Sequence, residues 1–374
     1  MPPEPESEPQ PIAPAARERT DFPCANCGAP TVWDPDADAL ACEHCGDTRP
    51  VPRAETAILE RQLGDAGEAA RGLGLAARAL RCRTCGAVVA FEETATATAC
   101  VFCGSSAVLP QEASRNALRP ESLVPLDVGR KAAEESFRRW LRGLWFRPSS
   151  LRDLKRFEAA GVYVPYWTFD ARVHSDWSAD SGTYYWDNQL VPVLRNGKLR
   201  MEMRRVRKVR WRPAWGARDD AYDDLLVNAS RGVPDDLARS LGGFDTSALV
   251  PYRPEYLAGW RAEEYQLDLE QGWGLGRQRV VEEQQHRCAG DVPGDTHRNL
   301  RVSNRIEGVR WKHVLLPMWA LAYEYGGQRY VVLVNGQTGR VHGRAPWSWV
   351  KILLAAAGIA LAVAMAALVA ALSS

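Results

Sequence analysis

Eight of the nine cysteines fall into four Cys-x-x-Cys pairs: Cys24 and Cys27, Cys42 and Cys45, Cys82 and Cys85, Cys100 and Cys103. Fourteen residues separate the first pair from the second, and fourteen separate the third from the fourth. Each pair is followed by a glycine: Gly28, Gly46, Gly86 and Gly104. Thiolates at this spacing suit a soft metal, and two such turns facing each other supply a closed tetrahedron with no open position for substrate. The glycines serve the turn, which bends sharply after the second sulfur into a conformation a Cβ would strain. The expected cofactors are two Zn2+ ions with structural roles. Iron at the same four thiolates is the alternative.

Between paired cysteines lie hairpin-like segments. These are Thr31–Trp33 and Ala39–Ala41 in the first block, and Val88–Phe91 and Thr96–Ala99 in the second. Units this small have almost no core, so metal binding worth on the order of 10 kcal/mol would hold them folded. Blocks 22–48 and 80–106 resemble the zinc-ribbon family of transcription factor IIB and of many small bacterial modules, which implies a metal and leaves the function open. Similar pairs occur in the primosomal replication-restart helicase. However, the sole Gly-Lys here, Gly197-Lys198, is followed by Leu199, so no phosphate-cradling loop is present and ATP-driven unwinding is excluded.

The paired spacing also favours metal over disulfides, and residues 1–20 are Pro/Glu-rich with no apolar stretch of a secretory signal. Both fit a reducing cytosol. At the other end, residues 352–372 are uncharged and apolar, about the length that crosses a hydrocarbon layer. Trp347 and Trp349 precede that run, with Arg340, Arg344 and Lys351 on its N-terminal side and no basic residue beyond. The positive-inside bias then places the body in the cytoplasm, on a single C-terminal pass through the cytoplasmic membrane. A buried C-terminal helix of a soluble chain is the competing reading. Gly358 and Ala362, four apart, would let two anchors pack as a homo-oligomer.

The elements that must position these groups divide the chain into a disordered tail (1–20), a first ribbon (21–50), a helical linker (51–79), a second ribbon (80–110), a body (118–345) and a transmembrane helix (350–372). In the body, Ala133, Phe137, Trp140, Leu141 and Leu144 recur at helical spacing after Asp127, which is placed to cap them. Ser150 and Asp153 have capping-box spacing for a second short helix. Aromatic and β-branched runs at 162–177, 183–186, 201–211, 300–311, 314–325 and 330–334 predict strands, with helices at roughly 219–241 and 255–288 between them. Val162–Trp167 (VYVPYW) echoes Val314–Trp319 (VLLPMW), as two related β units would. The fold class is therefore α+β: two small β zinc ribbons, an α+β body with antiparallel sheet, and a C-terminal transmembrane helix. Through VPYWTFDA, LLPMW and LVNGQTGRVHG (Leu333–Gly343) the body resembles bacterial zinc-ribbon membrane proteins of unknown function, sometimes labelled primosomal helicase-like. That resemblance implies no activity.

Charge is uneven. Residues 21–110 carry a surplus of five negative charges, and residues from 111 onward a surplus of eight positive ones. Nine basic residues against one Glu lie in Arg195–Arg212. Read as a strand, this stretch puts Met201, Met203, Val209 and Trp211 on one face and Arg204, Lys208, Arg210 and Arg212 on the other. Such a face serves as a solvated surface, a contact to anionic lipid, or a nucleic-acid contact. No catalytic or organic-cofactor residues emerge, because the six histidines share no metal spacing and no nucleophile motif is present. Cys288 stands apart as a buried or incidental thiol. The expected function is a membrane-anchored zinc-ribbon scaffold or adaptor of the cytoplasmic face, not an enzyme, whose acidic ribbons bind a protein partner. The alternative is a membrane-tethered nucleic-acid-binding protein using residues 195–212.

Overall fold

Three strands of unusual length organise the body: 38 residues in Glu158–Arg195, 31 in Lys198–Asn228 and 30 in Thr296–Tyr325. The sequence predicts shorter runs there. They fuse because the polar segments between them also alternate, so they continue the pleat instead of turning. The computed structural model describes residues 22–52, 57–73, 77–92, 99–154, 157–195 and 198–372. The expected tail (1–20) and the expected strand residues 96–98 lie outside them.

In chain order, β1 (Val32–Asp34), β2 (Ala39–Ala41) and β3 (Thr48–Pro50) form a small antiparallel sheet. All later strands join one large mixed sheet: β4 (Arg61–Gln62), β5 (Ala77–Cys82), β6 (Val88–Glu92), β7 (Val108–Glu112), β8 (Ser122–Leu123), β9 (Glu158–Arg195), β10 (Lys198–Asn228), β11 (Val250–Pro251), β12 (Arg261–Glu264), β13 (Thr296–Tyr325), β14 (Gln328–Asn335) and β15 (Val341–Gly343). The helices are α1 (Arg130–Gly143), α2 (Asp235–Leu241), α3 (Leu269–Asp291) and α4 (Trp349–Leu372).

The two echoed segments lie side by side at the centre of this sheet. Val164 on β9 faces Leu316 on β13, and Pro165 faces Leu315, in antiparallel register. Each proline sits where its strand changes outer partner. β9 pairs with β12 at Val162 and Tyr163 and with β10 from Tyr166. β13 pairs with β8 at Val314 and Leu315 and with β14 from Met318. A missing N–H costs little at such a junction, which explains prolines in central strands. The junction is closed identically on both sides: Ala229 N–H donates to the Pro165 carbonyl (3.0 Å) and Gly336 N–H to the Pro317 carbonyl (2.9 Å). Both donors follow a Leu-Val-Asn, at 226–228 and 333–335, whose asparagine is buried. This second repeated motif extends the echo visible at VPYW and LPMW to the junction of both central strands.

Several expected helices are corrected. The linker at 51–79 holds a short strand, β4, and a 3-10 turn at Leu63–Glu68, its glycines disfavouring a longer helix. α1 is capped by Gly129 rather than Asp127, and Ser149–Asp153 forms only a 3-10 turn before β9 begins. Residues 219–228 continue β10. A bulge at Asp223 and Asp224 opposite Asp170 breaks the alternation there and mimics helical spacing, leaving a helix only at α2. The expected helix at 255–288 splits into a 3-10 turn (Pro254–Leu257), β12 and α3. Helix α3 starts from a capping box between Asp268 and Gln271. Its glycines do not break it. Gly272, Gly276, Val280, Gln284 and Cys288 make a buried stripe at four-residue spacing, and a Cβ at Gly272 would collide with Trp167.

The main core lies under α1, where Phe137, Tyr163, Leu315, Trp319 and Tyr323 meet. Helix α4 takes no part in it: none of its described side chains is buried. It is long and apolar enough to cross a membrane, with mean hydropathy 2.7 over Trp349–Ala371.

Candidate metal centres and interaction surfaces

Each turn between paired cysteines is held by its own backbone. Gly28 N–H donates to the Cys24 carbonyl, and Gly46, Gly86 and Gly104 do the same for Cys42, Cys82 and Cys100, at 2.8–3.0 Å. All four glycines have positive φ, between 69° and 83°, as the sequence requires of them. The turns converge in two clusters. Cys24–Cys45 and Cys27–Cys42 Sγ atoms are 3.5 Å apart in the first, and Cys82–Cys103 and Cys85–Cys100 are 3.5 and 3.6 Å apart in the second. A zinc tetrahedron with ~2.3 Å bonds has an edge of about 3.8 Å, so the spacing is consistent with that ion. Both clusters can hold a metal, and all nine cysteines are free of disulfides. The sulfurs set one another's protonation. Cys100 is lowered to about 5 by its contact with Cys85, whose own thiol is pushed far up by the same contact and by burial. Cys42 falls to about 6 through the backbone N–H groups of Cys45 and His44. A metal would replace this sharing of protons by binding all four as thiolates.

The sequence does not reveal how firmly these modules are docked. Trp33 of the first is 2 % exposed, its backbone N–H donates to the Ala258 carbonyl, and its ring meets Tyr256 edge-on at 4.7 Å. The second is woven into the large sheet: β6 pairs with both β5 and β12, and β12 pairs with β9. Phe102, between Cys100 and Cys103, is buried beside Ala87, Val89 and Val164. Two arginines of the body rest on its turns, Arg231 against Gly86 and Arg329 against Gly104, where Arg329 also pairs with Glu158 at 2.6 Å. Both ribbons are parts of the body rather than freely presented modules.

The basic stretch forms a projecting arm. β13 covers β9 only as far as Gly182, so residues 183–195 pair with 198–210 alone. At ~3.3 Å per residue this two-stranded ribbon reaches about 40 Å. The faces divide as the alternation predicts, but the Met201 face does not turn inward to a core. Leu190, Leu194, Leu199, Met201 and Met203 are 58–71 % exposed. Farther in, aromatic rings carry the guanidiniums: Arg205 lies over Trp186, Arg207 over Tyr184 and Arg210 over Tyr185, at 4.3–5.4 Å. Lys208 is paired with Asp187 at 2.8 Å.

The sequence does not single out one further carboxylate group. Asp170, Asp223 and Asp224 converge at the β10 bulge, within reach of a single ion. Lys312, buried on β13, lies 2.7 Å from Asp224 and 3.1 Å from Glu60, so an ammonium already offsets these acids. Burial, and the nearby Glu60, raise Asp170 to about 6. Replacing Lys312 by Met is expected to cost about 1–3 kcal/mol, because the half-buried acids lose their cation. Urea unfolding of the variant measures this, and a loss below about 1 kcal/mol would contradict it. The lone Cys288 is fully buried beside Trp177 and Val292, the buried one of the two readings the sequence allows.

No family model matches the chain, and no solved structure matches it. The chain is 26 % identical over 353 residues to the "Uncharacterized protein YdjG" of Bacillus subtilis (strain 168), a match that spans 91 % of this chain and 94 % of that protein. The likeness therefore extends through the second ribbon and most of the body. The resemblance to transcription factor IIB has no family match behind it.

Proposed function

We propose that the chain is a membrane-anchored scaffold, not an enzyme, facing the cytoplasm, with zinc in both ribbons and a protein partner bound by the projecting arm. The observation that carries this reading is the exposed aliphatic cluster at the arm's tip. It is remote along β9 from the end of the sheet where α4 departs, and isolated from every core cluster. Five large aliphatic side chains grouped in water favour contact with another surface. The ribbons suit a structural role, since their hydrophobic residues are spent on docking to the body. The basic residues just before α4 (Arg340, Arg344 and Lys351) support a cytoplasmic body.

In crosslinked membranes, the wild-type chain is expected to capture a partner that the variant L190S/L194S/M201S/M203S loses at least tenfold. Stability should change by less than about 1 kcal/mol, because these side chains are exposed. Equal capture by both would sink the arm as the binding surface. A second reading draws on Arg204, Lys208 and Arg210 on the opposite face of the arm, with Arg212 at its base. Nucleic acid bound there would dissociate steeply with added salt.

A further inference from the structure

At the foot of α4 lies a cavity of about 500 Å³ lined by Arg147, Tyr330, Arg344, Trp347 and Trp349, with Gly343, Ala345 and Pro346 completing its wall. The first turn of α4 is fastened to the same place. Ser348 N–H donates to the Phe146 carbonyl, and the Lys351 ammonium donates to the carbonyls of Trp145 (3.2 Å) and Arg147 (2.8 Å). The Arg147 guanidinium stacks on Trp347, 3.6 Å from the ring centre. Its Nη1 is buried without a hydrogen-bond partner, and among the described residues no carboxylate forms an ion pair with it. Arg344 pairs with Asp236 at 3.0 Å, but both side chains are more than half exposed, so that pair yields readily to a better acceptor. A half-buried guanidinium with one buried, unpartnered nitrogen calls for an anion. The N-terminus of a 24-residue helix beside it adds a positive potential.

We propose that this cavity binds a phosphate group, and that the phosphate is the headgroup of an anionic phospholipid. The shape of the site agrees with its place. If α4 spans the bilayer, Trp347 and Trp349 lie at the headgroup level, and the arginines meet the phosphates there. Planar guanidiniums match the oxygens of a phosphate in a way that a lysine does not. This inference rests on the reading of α4 as a membrane anchor.

The test uses the full-length chain in neutral detergent, titrated with phosphatidylglycerol or phosphatidylcholine and followed by native mass spectrometry. Phosphatidylglycerol is expected to bind at least tenfold tighter than phosphatidylcholine. Arg147→Gln and Arg344→Gln should each lower that preference threefold or more, whereas Arg142→Gln, exposed on α1, should not. Arg147→Lys, which keeps the charge, separates loss of the site from loss of packing and should retain part of the preference. Equal binding of the two lipids, or a preference indifferent to both arginines, overturns the proposal. Inorganic phosphate displacing the lipid at equal concentration would also overturn it, by making free phosphate the ligand. Alkaline carbonate extraction of membranes checks the anchor separately. A chain that extracts refutes the anchor, while a chain that stays but shows no lipid preference refutes only the site.

Discussion

Stripping metal from the second four-cysteine site is expected to unfold the body, not merely the ribbon. The turn that ends in Cys85 leads directly into β6, and β6 is hydrogen-bonded to β12, which lies against the central strand β9. Phe102, fixed between two ligands, fills the space beside Gly232, where a Cβ would already clash with its ring. Structural zinc is worth on the order of 10 kcal/mol or more, comparable with the whole stability of a domain. Cys100→Ser should therefore give an insoluble or molten chain. Cys27→Ser, in the exposed turn of the separate three-stranded sheet, should loosen the first ribbon and leave the large sheet folded. Metal analysis is expected to find two zinc ions per wild-type chain. Near-UV circular dichroism after treatment with a zinc chelator tests the dependence directly: an unchanged aromatic spectrum would show that the body does not need the metal.

The ligands are legible because a metal imposes its own spacing on the sequence. Four thiolates and the glycine after each pair satisfy local geometry, and no distant residue is needed to complete them. The two central strands can also be read, since VPYW and LPMW carry the bulky residues of a fully buried core. What the sequence conceals is long-range pairing. The bulge at Asp223 and Asp224 shifts the apolar positions of β10 by one, so Tyr222, Leu225 and Leu226 look helical when they are not. Gly272 and Gly276 look like helix breakers, and only the presence of Trp167 and Phe169 across the interface explains them. The arm reads as a strand with two faces, yet the alternation alone does not say that no third strand covers it. That depends on where β13 begins. The docking of the ribbons is hidden for the same reason, because Trp33 finds Tyr256 and Ala258, and Phe102 finds Gly232, more than a hundred residues away.

Glu263→Gln is expected to stabilise the protein at neutral and alkaline pH and to flatten its stability profile. Glu263 lies on β12 between the second ribbon and the body, 1 % exposed. Burial pushes its carboxyl up to about 8 from an ordinary 4.5. Ser230 and the Gly232 N–H draw it partly back, yet neither carboxylate oxygen makes a hydrogen bond of good geometry. The folded chain thus binds a proton that the unfolded chain gives up near pH 4.5. Stability from this group is complete below that pH, falls as pH rises toward 8, and levels off above it. Over the whole interval the loss amounts to roughly 5 kcal/mol, at about 1.4 kcal/mol for each pH unit. Glutamine keeps the shape and the acceptor oxygen and cannot ionise, so this loss disappears. Melting temperatures from about pH 6.5 to 9 should fall more steeply for the wild-type chain than for the variant. Parallel profiles would mean that Glu263 finds water or a partner when it ionises. The thiolates add to the effect, because negative charge at Cys100 also opposes ionisation of Glu263. A metal that holds all four sulfurs deprotonated leaves net negative charge on the site, so the loaded protein should keep this proton to a higher pH than burial alone would set.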